Sequence, residues 1–453
     1  MVVGRGRRGG AAQRAGPARR VGPGADVGAV QPLPFGLLPD TSVAGPDGRL
    51  SIGGVDLLDL ALEFGTPLFV YDEEHLRARC REAVATFGPD GAIYATKAFL
   101  CRAMARLAHS EGMRLDVATG GELHVALAAG VPADRLVLHG NNKSTAELRR
   151  ALEVGVGRIV VDSDDELDRI EALVAEGLPV PGVLLRVNPG IEVHTHEHVR
   201  TGNLDSKFGF PLPTGQADDA VTRARASAAV DLMGLHLHIG SQVFSVANFL
   251  DGLAAVAPFV VQADLPELVV GGGLGVAYLA GEEAPSITEW GTAVLAACRE
   301  AGITASIAAE PGRAVVAGAA VTLYTVGTVK FIPGVRTYVA VDGGMSDNPR
   351  PVLYGSGYET FLPRAATSRR EMPIRLVGKH CESGDLLVRE GLVPADVAVG
   401  DVIATPVTGA YGHSMGSNYN KVPRPAVVFV RDGDARLVVR RETHDDLLRT
   451  DVG

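Results

Sequence analysis

From about residue 92 onward, short apolar runs rich in Val, Ile and Leu alternate with longer stretches rich in Ala and Leu. The short runs have the length and composition of buried strands, and the longer stretches have the spacing of helices. Eight such runs occur, at 92–98, 114–120, 135–141, 157–163, 183–189, 232–240, 266–273 and 304–312. Strands that alternate with helices indicate a parallel sheet, and eight of them predict a (β/α)8 TIM-like barrel.

Each predicted strand is apolar at first and ends in a polar or glycine-rich group. In a (β/α)8 barrel the carboxyl ends of the strands form the mouth that holds the active site, so these groups should meet there. An open doubly wound sheet can show a similar alternation, but the strand count and the spread of the polar ends favour the barrel. The strand-end groups are Lys97, Asp116, Asn141, Asp162, Asn188, His238, Gly271–Gly273 and Glu310.

After Arg313 the pattern changes to shorter Val- and Thr-rich runs broken by Gly, Pro and Asp, which is typical of antiparallel strands. We therefore predict a tail at 1–45, a barrel at 68–315, and a C-terminal antiparallel β-sandwich or β-barrel domain at 316–453 that includes 46–67. The start of the tail is rich in Arg, Gly and Pro and poor in acid, which predicts disorder. A transit peptide is the less favoured interpretation.

The composition of the chain argues against several classes of function. The chain of 453 residues has a net charge of −10, which argues against nucleic-acid binding because that requires Lys and Arg to neutralise phosphates. No apolar run approaches the roughly 18 residues that span a bilayer, so no membrane association is expected. The four cysteines include no Cys-x-x-Cys pair, which predicts neither a zinc site nor disulfides and fits the cytoplasm. Small-molecule chemistry is the better expectation.

Three of the strand ends suggest specific chemistry. Lys97 lies among apolar residues that would desolvate its amine and lower its pKa, as a Schiff-base lysine requires, although a solvated surface lysine is the ordinary alternative. HIGSQ at 238–242 and GGGLG at 271–275 follow the sixth and seventh strands, where exposed backbone amides can hold a phosphate. EPGR at 310–313 ends the eighth strand with an acid that could pair with a pyridinium nitrogen or with a neighbouring Arg.

Ten motifs between about Gly65 and about Pro425 resemble the decarboxylases of the alanine-racemase-like barrel class, which use pyridoxal 5′-phosphate (PLP), and within that class the diaminopimelate decarboxylase family. Any one motif is modest, but ten in the same order are specific. The resemblance implies PLP-dependent decarboxylation of meso-2,6-diaminopimelate to lysine and CO2. The motifs are YATKA, LDVATGGEL, RVNPG, TGNLDSKFG, HIGSQ, GGGLG, EPGR, DNPRPVLY, CESGD and GAYGHSMGSNYN.

The resemblance also implies roles for the positions that match the family's cofactor motifs. Lys97 would bond covalently to the cofactor, His238 would stack on its ring, and Glu310 would meet the ring nitrogen. The full set of cofactor-binding positions is Lys97, Asp116, His238, Gly240, Ser241, Gly272, Gly273, Gly275, Glu310, Gly312, Arg313 and Tyr411.

The resemblance places a second set of residues around the far end of the substrate. Two arginines suit a distal carboxylate because a guanidinium group pairs with it bidentately. The substrate-binding positions are Arg313, Arg350, Tyr354, Glu382 and Tyr411.

Cys381 in CESGD is similar to the cysteine that donates a proton to the substrate in this family. In relatives this loop comes from the partner subunit, so the resemblance implies a homodimer with active sites shared across the interface. A thiol can act near neutral pH when cations lie beside it, although a small buried core cysteine is the ordinary alternative. Lys379 and His380 depart from the Gly-Pro that relatives often carry before this motif.

Three alternatives stay open. HTHEH at 194–198 and HLH at 236–238 could be metal sites of a metal-dependent barrel hydrolase, but no metal is needed once Lys97 and Glu310 are assigned, so none is predicted. A decarboxylase of another basic amino acid or polyamine precursor would usually carry Cys-Asp where this chain has Cys381 and Glu382. A catalytically inactive relative would be expected to have lost Lys97 or Cys381.

Overall fold

The computed structural model describes residues 32–190, 204–238 and 240–453. Its first strands form a small antiparallel sheet, and a helix follows directly because the Asp56 carboxylate accepts hydrogen bonds from the first free backbone N–H groups of that helix. These elements are β1 (Val43–Ala44), β2 (Leu50–Ile52), β3 (Val55–Asp56) and α1 (Leu57–Phe64).

Part of the segment that the sequence analysis assigned to the tail is folded into the core. Residues 32–45 were assigned to the tail, yet Leu33, Leu37 and Leu38 are buried in the main core. Strand β1 pairs with β2 within the same stretch. Burial of three leucines offsets the entropy cost of ordering this segment, which a tail rich in Gly and Pro could not do.

Eight parallel strands form a closed barrel. The first and last are joined by backbone hydrogen bonds from Ile93 N–H to Ala309 O (3.0 Å) and from Ala309 N–H to Gly91 O (2.8 Å). The predicted (β/α)8 barrel is therefore confirmed, and each predicted run overlaps one strand. The barrel strands are β5 (Ile93–Ala95), β6 (Arg114–Val117), β7 (Leu136–Leu138), β8 (Arg158–Val161), β9 (Gly182–Asn188), β11 (Asp231–Leu237), β12 (Glu267–Val269) and β13 (Ser306–Ala308), with the short β10 (Phe210–Pro211) paired to β9.

A layer of apolar side chains fills the barrel interior and supports the polar mouth above it. Because alternate residues of a strand point to opposite faces, one set faces this interior and the other faces the helices. The interior cluster consists of Ile93, Val137, Val160, Leu184, Val269 and Ala308.

Helices cover the outside of the barrel. The chain leaves the barrel after β13 through the four-residue α10 (Arg313–Val316), and α2, which precedes β5, packs against α9, α3 and α10 and so completes the ring of helices. Capping boxes of the Ser-x-x-Glu type start α5 and α9. The helices are α2 (Glu73–Phe87), α3 (Arg102–Ser110), α4 (Gly120–Ala128), α5 (Thr145–Val154), α6 (Asp164–Ala175), α7 (Gln216–Ala226), α8 (Val246–Ala263) and α9 (Ile287–Glu300).

Of the described helices, α8 has the length and apolar composition that could span a membrane, with a mean hydropathy of 1.5. The sequence analysis expected no apolar run of that length. Helix α8 reaches it because its 18 residues contain a single charged side chain, Asp251. Phe249, Leu253 and Val256 are buried, and the helix packs against α9, so its apolar face belongs to the core of the barrel layer.

The second unit is a mostly antiparallel sheet, as predicted, with two parallel pairs, β4 with β19 and β15 with β16. The predicted barrel range began at residue 68, but β4 lies at the centre of this second sheet, because all five of its residues are buried and it pairs with β14 and β19. The strands are β4 (Leu68–Asp72), β14 (Ala320–Ile332), β15 (Arg336–Val341), β16 (Met372–Val377), β17 (Leu386–Val393), β18 (Val402–Pro406), β19 (Ala426–Arg431) and β20 (Asp434–Val439), with α11 (Arg350–Tyr354) and α12 (His444–Leu448) between and after them.

A loop of the second unit reaches the barrel mouth. The Tyr411 N–H donates a hydrogen bond to Ala98 O at 2.8 Å, and the Tyr71 hydroxyl donates to Gly409 O at 2.8 Å. Tyr411 has a φ of +59°, a left-handed backbone conformation that is uncommon for a residue with a side chain. Such conformations persist where surrounding contacts enforce them, so the packing holds Tyr411 at the mouth.

Candidate active site

The carboxyl ends of the barrel strands surround a cavity. Its walls come from five of the eight strands and from the Tyr411 loop. Apart from Ala95, every residue that lines it belongs to the predicted cofactor set. The lining residues are Ala95, Lys97, Asp116, His238, Ser241, Gly272, Gly273, Glu310, Gly312, Arg313 and Tyr411.

Lys97 follows β5 in a short 3-10 turn and borders the cavity. Its side chain is exposed to the cavity, although protein encloses it on the other sides. The sequence analysis expected a lowered pKa, and this was wrong in direction. Burial does lower the pKa, but the Tyr411 hydroxyl and the carboxylates of Asp116 and Glu310 outweigh it and raise the pKa of Lys97 above its ordinary value.

Glu310 lies on the floor of the cavity between two histidines. Its Oε1 is 2.9 Å from Nε2 of His139, and its Oε2 is 3.0 Å from Nε2 of His236. All three side chains are more than nine-tenths buried. Burial opposes ionisation, but the contacts with the two imidazoles prevail and hold the pKa of Glu310 well below its usual range. Glu310 is therefore a carboxylate, and its partners are histidines rather than the Arg considered from the sequence.

Asp116 is a second buried acid at this mouth. Burial raises the pKa of Asp116 to about 6, against the opposing positive charges of His139 and Lys97. It is the last residue but one of β6, and its carbonyl oxygen accepts a hydrogen bond from the Thr96 hydroxyl at 2.7 Å. This bond ties the ends of the first two barrel strands together beside Lys97.

The glycine run after β12 lets three strand ends pack closely. Gly271 has a φ of +72°, and a Cβ there would lie 2.4 Å from Leu237 O, so only glycine fits. Gly272 and Gly273 lie on the cavity wall, whereas the Gly275 N–H donates to Val243 O at 2.9 Å, and Gly240 and Gly275 are absent from the lining residues.

His238 borders the same wall of the cavity, one residue beyond the end of β11. Burial, together with the charge of Lys97, lowers the pKa of His238 well below its ordinary value, so its ring is neutral. A neutral imidazole offers a flat face without a charge. His238 can therefore pack against an aromatic ring in the cavity.

A wider cavity opens above the first and shares Lys97, Ser241, Arg313 and Tyr411 with it. Arg350 and Tyr354, which belong to the predicted substrate set, line this wider cavity from α11. The two spaces therefore connect, and a molecule attached at Lys97 can extend toward α11.

Tyr278, which the sequence analysis did not single out, lies between the two arginines. Its hydroxyl accepts a hydrogen bond from Arg313 Nη1 at 2.7 Å, and its ring is 4.2 Å from Cζ of Arg350. Arg350 also donates to the Tyr358 hydroxyl. Among the described residues, neither guanidinium forms an ion pair with a carboxylate, so both positive charges are available to an anion in the wider cavity.

The Cys381 loop lies apart from both cavities. Cys381 is an exposed free cysteine, and neither it nor Glu382 lines either space within this chain. The loop is held by hydrogen bonds from Cys381 N–H to Asn420 Oδ1 (3.1 Å) and from His380 N–H to Asp385 Oδ2 (2.8 Å). The chain therefore presents the thiol outward on an ordered loop.

The metal interpretation finds one candidate in the described part of the chain. His139, His236 and Glu310 place their ligand atoms within 4.8 Å of one another, whereas HTHEH at 194–198 lies outside the described residues. A hydrogen bond of 3.0 Å joins Glu310 to His236, and an ion pair of 2.9 Å joins it to His139, so the group is explained as an ion-pair cluster.

Comparison with known proteins identifies the class of enzyme to which this site belongs. The family model described as "Pyridoxal-dependent decarboxylase, pyridoxal binding domain" matches residues 73–317, which is more than half of the chain. The fold and the mouth of the barrel are thus those of a PLP-dependent decarboxylase, and PLP is the cofactor.

Relatives narrow the class to one family. The chain is 48% identical over 425 residues to the diaminopimelate decarboxylase of Mycobacterium tuberculosis, covering 89% of this chain and 95% of that one. It is 45% identical to that of Bacillus subtilis, covering 91% and 97%. The structure of the M. jannaschii diaminopimelate decarboxylase in complex with L-lysine superposes with a TM-score of 0.85 at 32% identity, covering 91% of this chain and 98% of that one. This chain belongs to the diaminopimelate decarboxylase family.

The residues around the smaller cavity fit PLP chemically. Lys97 offers an amine to an aldehyde, and Glu310 offers a carboxylate to a protonated ring nitrogen. The backbone amides of Gly272 and Gly273, with the Ser241 hydroxyl, offer donors to a phosphate, and the Arg313 guanidinium donates to that hydroxyl at 3.3 Å from the side of the wider cavity.

Proposed function

We propose that this protein decarboxylates meso-2,6-diaminopimelate to lysine and CO2. Membership of the family supports the reaction class. The observation that supports this substrate is the pair of guanidinium groups, Arg313 and Arg350. They face the wider cavity without carboxylate partners among the described residues. Buried or half-buried cations need a counter-charge, and a substrate whose far end carries a carboxylate supplies it.

The smaller cavity supplies the groups that hold the cofactor. Lys97 would bond to it covalently, Glu310 would accept a hydrogen bond from its ring nitrogen, and His238 would pack on its ring. Bound PLP withdraws electrons from the amino-acid carbon that is attached to it, and a carboxylate on that carbon can then leave. Glu310 supports this chemistry because an ionised carboxylate favours a protonated ring nitrogen.

The wider cavity orients the substrate. Arg313 and Arg350 bind the distal carboxylate, while Tyr354 borders the same space. Tyr278 and Tyr358 fix the two guanidinium groups in advance, so less conformational entropy is lost when the substrate binds. Fixing the far end in this way aims the reacting end at Lys97.

We also propose that the active enzyme is a homodimer. The Cys381 thiol is exposed on an ordered loop and lines neither cavity in its own chain, so a second copy would bring it to the site. There Cys381 would donate the proton that replaces the lost carboxylate, and the partner's Glu382 would face the substrate ammonium. A site that needs two chains makes activity dependent on assembly.

We propose the cytoplasm as the location of the protein. All four cysteines are free, and Cys80, Cys101 and Cys298 are buried in the core rather than near one another as disulfide partners. Free cysteines persist in a reducing compartment.

The reaction is tested by incubating the purified protein and PLP separately with diaminopimelate, lysine, ornithine and arginine. CO2 release and the amine product are measured for each. We expect CO2 and lysine from diaminopimelate and little product from the other three, because they lack a distal carboxylate and leave the arginines unpaired. Faster turnover of lysine, ornithine or arginine would replace the proposed substrate with a basic amino acid.

Replacing Arg350 with leucine is expected to lower kcat/KM for diaminopimelate by about 30-fold or more, because one partner of a desolvated charge pair is lost. Most of the change should appear in KM, since Arg350 holds the far end of the substrate. Steady-state kinetics with each variant measures both constants. Arg389→Leu, at an exposed position on β17, is the matched control and should retain wild-type kinetics. Equal kinetics in the two variants would remove Arg350 from the substrate site.

A further inference from the structure

Two histidines, His139 and His236, hold the carboxylate of Glu310, and we call this arrangement the clamp. Its three residues come from three separate strands of the barrel. His139 follows β7, the third barrel strand, His236 lies on β11, the sixth, and Glu310 follows β13, the eighth. Each imidazole meets a different oxygen of the carboxylate, at 2.9 and 3.0 Å. The two imidazoles also pack edge to face, with ring centroids 4.8 Å apart. The carboxylate is thus held across the barrel from two sides.

We propose that His139 and His236 are positioning residues that fix both oxygens of Glu310 and keep its negative charge directed at the ring nitrogen of the bound cofactor. The inference rests on the proposed function, because it assigns Glu310 to that nitrogen. It adds two residues to the site that line neither cavity and contact the carboxylate of Glu310.

The pKa values of the two histidines are shifted in opposite directions. Burial lowers the pKa of His236 to about 4, so its imidazole is neutral at pH 7. Its Nδ1 has no hydrogen-bond partner among the described residues, which is consistent with a proton on Nε2 that is donated to Glu310. Burial also opposes charge on His139, but Asp116 and Glu310 prevail and raise the pKa of His139. The carboxylate is therefore served by one imidazole whose surroundings favour the cation and by one neutral donor.

The different roles of His139 and His236 explain how Glu310 stays ionised so deep in the barrel. A buried carboxylate without partners would take up a proton, and the resulting neutral acid would no longer favour a protonated ring nitrogen. His139 balances the charge of Glu310, while His236 restrains its second oxygen without adding a further charge. The carboxylate then has a fixed orientation before any ligand enters, which is the preorganisation that electrostatic stabilisation requires.

The test is a double-mutant cycle on PLP affinity. His139→Leu, Glu310→Gln and the double variant are titrated with PLP, and the dissociation constants are read from visible absorbance. We expect each single variant to bind PLP about 10-fold more weakly, as loss of an orienting partner does at other sites, and the double variant to be no worse than Glu310→Gln. Losses that multiply in the double variant would overturn the proposal, because His139 would then act independently of Glu310.

Two further measurements separate positioning from a general structural role. His139→Gln keeps an N–H donor without the charge and should recover part of the affinity that His139→Leu loses. In steady-state assays His139→Leu should lower kcat while KM stays within about threefold, because the substrate-binding arginines are untouched. Failure of the glutamine variant to recover affinity, or an effect confined to KM, would contradict the proposal.

The control is His75→Leu, since His75 is also a buried histidine beside an acid, Asp40, but lies on α2 and lines neither cavity. It should leave PLP affinity unchanged, and a loss as large as that of His139→Leu would indicate general destabilisation instead.

Metal analysis of the holoenzyme should find no stoichiometric ion. Bound zinc would show that the three residues are a metal site and would overturn the clamp proposal. A wild-type protein that binds PLP but does not decarboxylate diaminopimelate refutes the proposed substrate alone, and the cycle on PLP affinity still tests the clamp.

Discussion

Replacing Lys97 with alanine is expected to abolish the visible absorbance of the protein-bound cofactor and to lower turnover by at least about 1000-fold. The reason is chemical, because a methyl group cannot bond to the cofactor aldehyde or carry the proton that the amine carries. Absorbance spectroscopy after incubation with PLP, and CO2 release from diaminopimelate, measure the two effects. Lys97 is also enclosed beside three groups that favour its charge, so few other amines could replace it.

The matched control for this experiment is Lys330→Ala. Lys330 is exposed on β14, outside both cavities, and its loss should change neither the spectrum nor the rate. Treatment with borohydride should also fix the cofactor to a peptide that contains Lys97 in the wild-type protein. A Lys97→Ala protein that stays coloured and active would refute the assignment of this lysine.

The second large effect is expected from mixing two inactive variants. Cys381→Ala should lower turnover by about 100-fold or more, because the proton donor is lost. If sites are shared, Lys97→Ala and Cys381→Ala chains that are unfolded, mixed and refolded together should recover activity. Half of the dimers would be mixed and each would hold one intact site, so about a quarter of the wild-type rate is expected.

Each variant refolded alone is the control for this mixture and should stay inactive. A mixture that also stays inactive, with mixed dimers present by mass spectrometry, would show that Cys381 serves its own chain. Full activity of a wild-type monomer in sedimentation experiments would contradict the shared site in another way. Either result would leave the exposed position of Cys381 to be explained by a movement of its loop.

The sequence could predict which residues surround the cavity, because their meeting at the mouth follows from the order of the strands. Once eight strands close into a barrel, the ends of all strands meet, so Lys97, Asp116 and Glu310 had to lie near one another. Distances across the barrel were not predictable, because they depend on radial position and register. The pKa of Lys97 shows this limit, since its raised value comes from groups on other strands and on the Tyr411 loop.

His139 was missed for a related reason. The sequence analysis took Asn141 as the polar end of the third strand, but β7 ends at Leu138 and His139 is the first residue beyond it. The first polar residue after an apolar run was the signal that could have found it. Tyr278 carried no such signal, because it lies in a loop and its role depends on two arginines from other elements.

The path of the chain through β4 links the stability of the two units. The chain contributes β4 to the second sheet, builds the whole barrel, and then returns to place β14 and β19 on either side of that same strand. Removing the first 72 residues would leave a central gap with unpaired backbone groups, and ending the chain at Ala317 would remove the loop that carries Tyr411. Neither unit could therefore be separated from the other without loss of the active site. Among the residues that line the smaller cavity, the second unit contributes Tyr411 alone, yet the cavity forms only when the second sheet is intact.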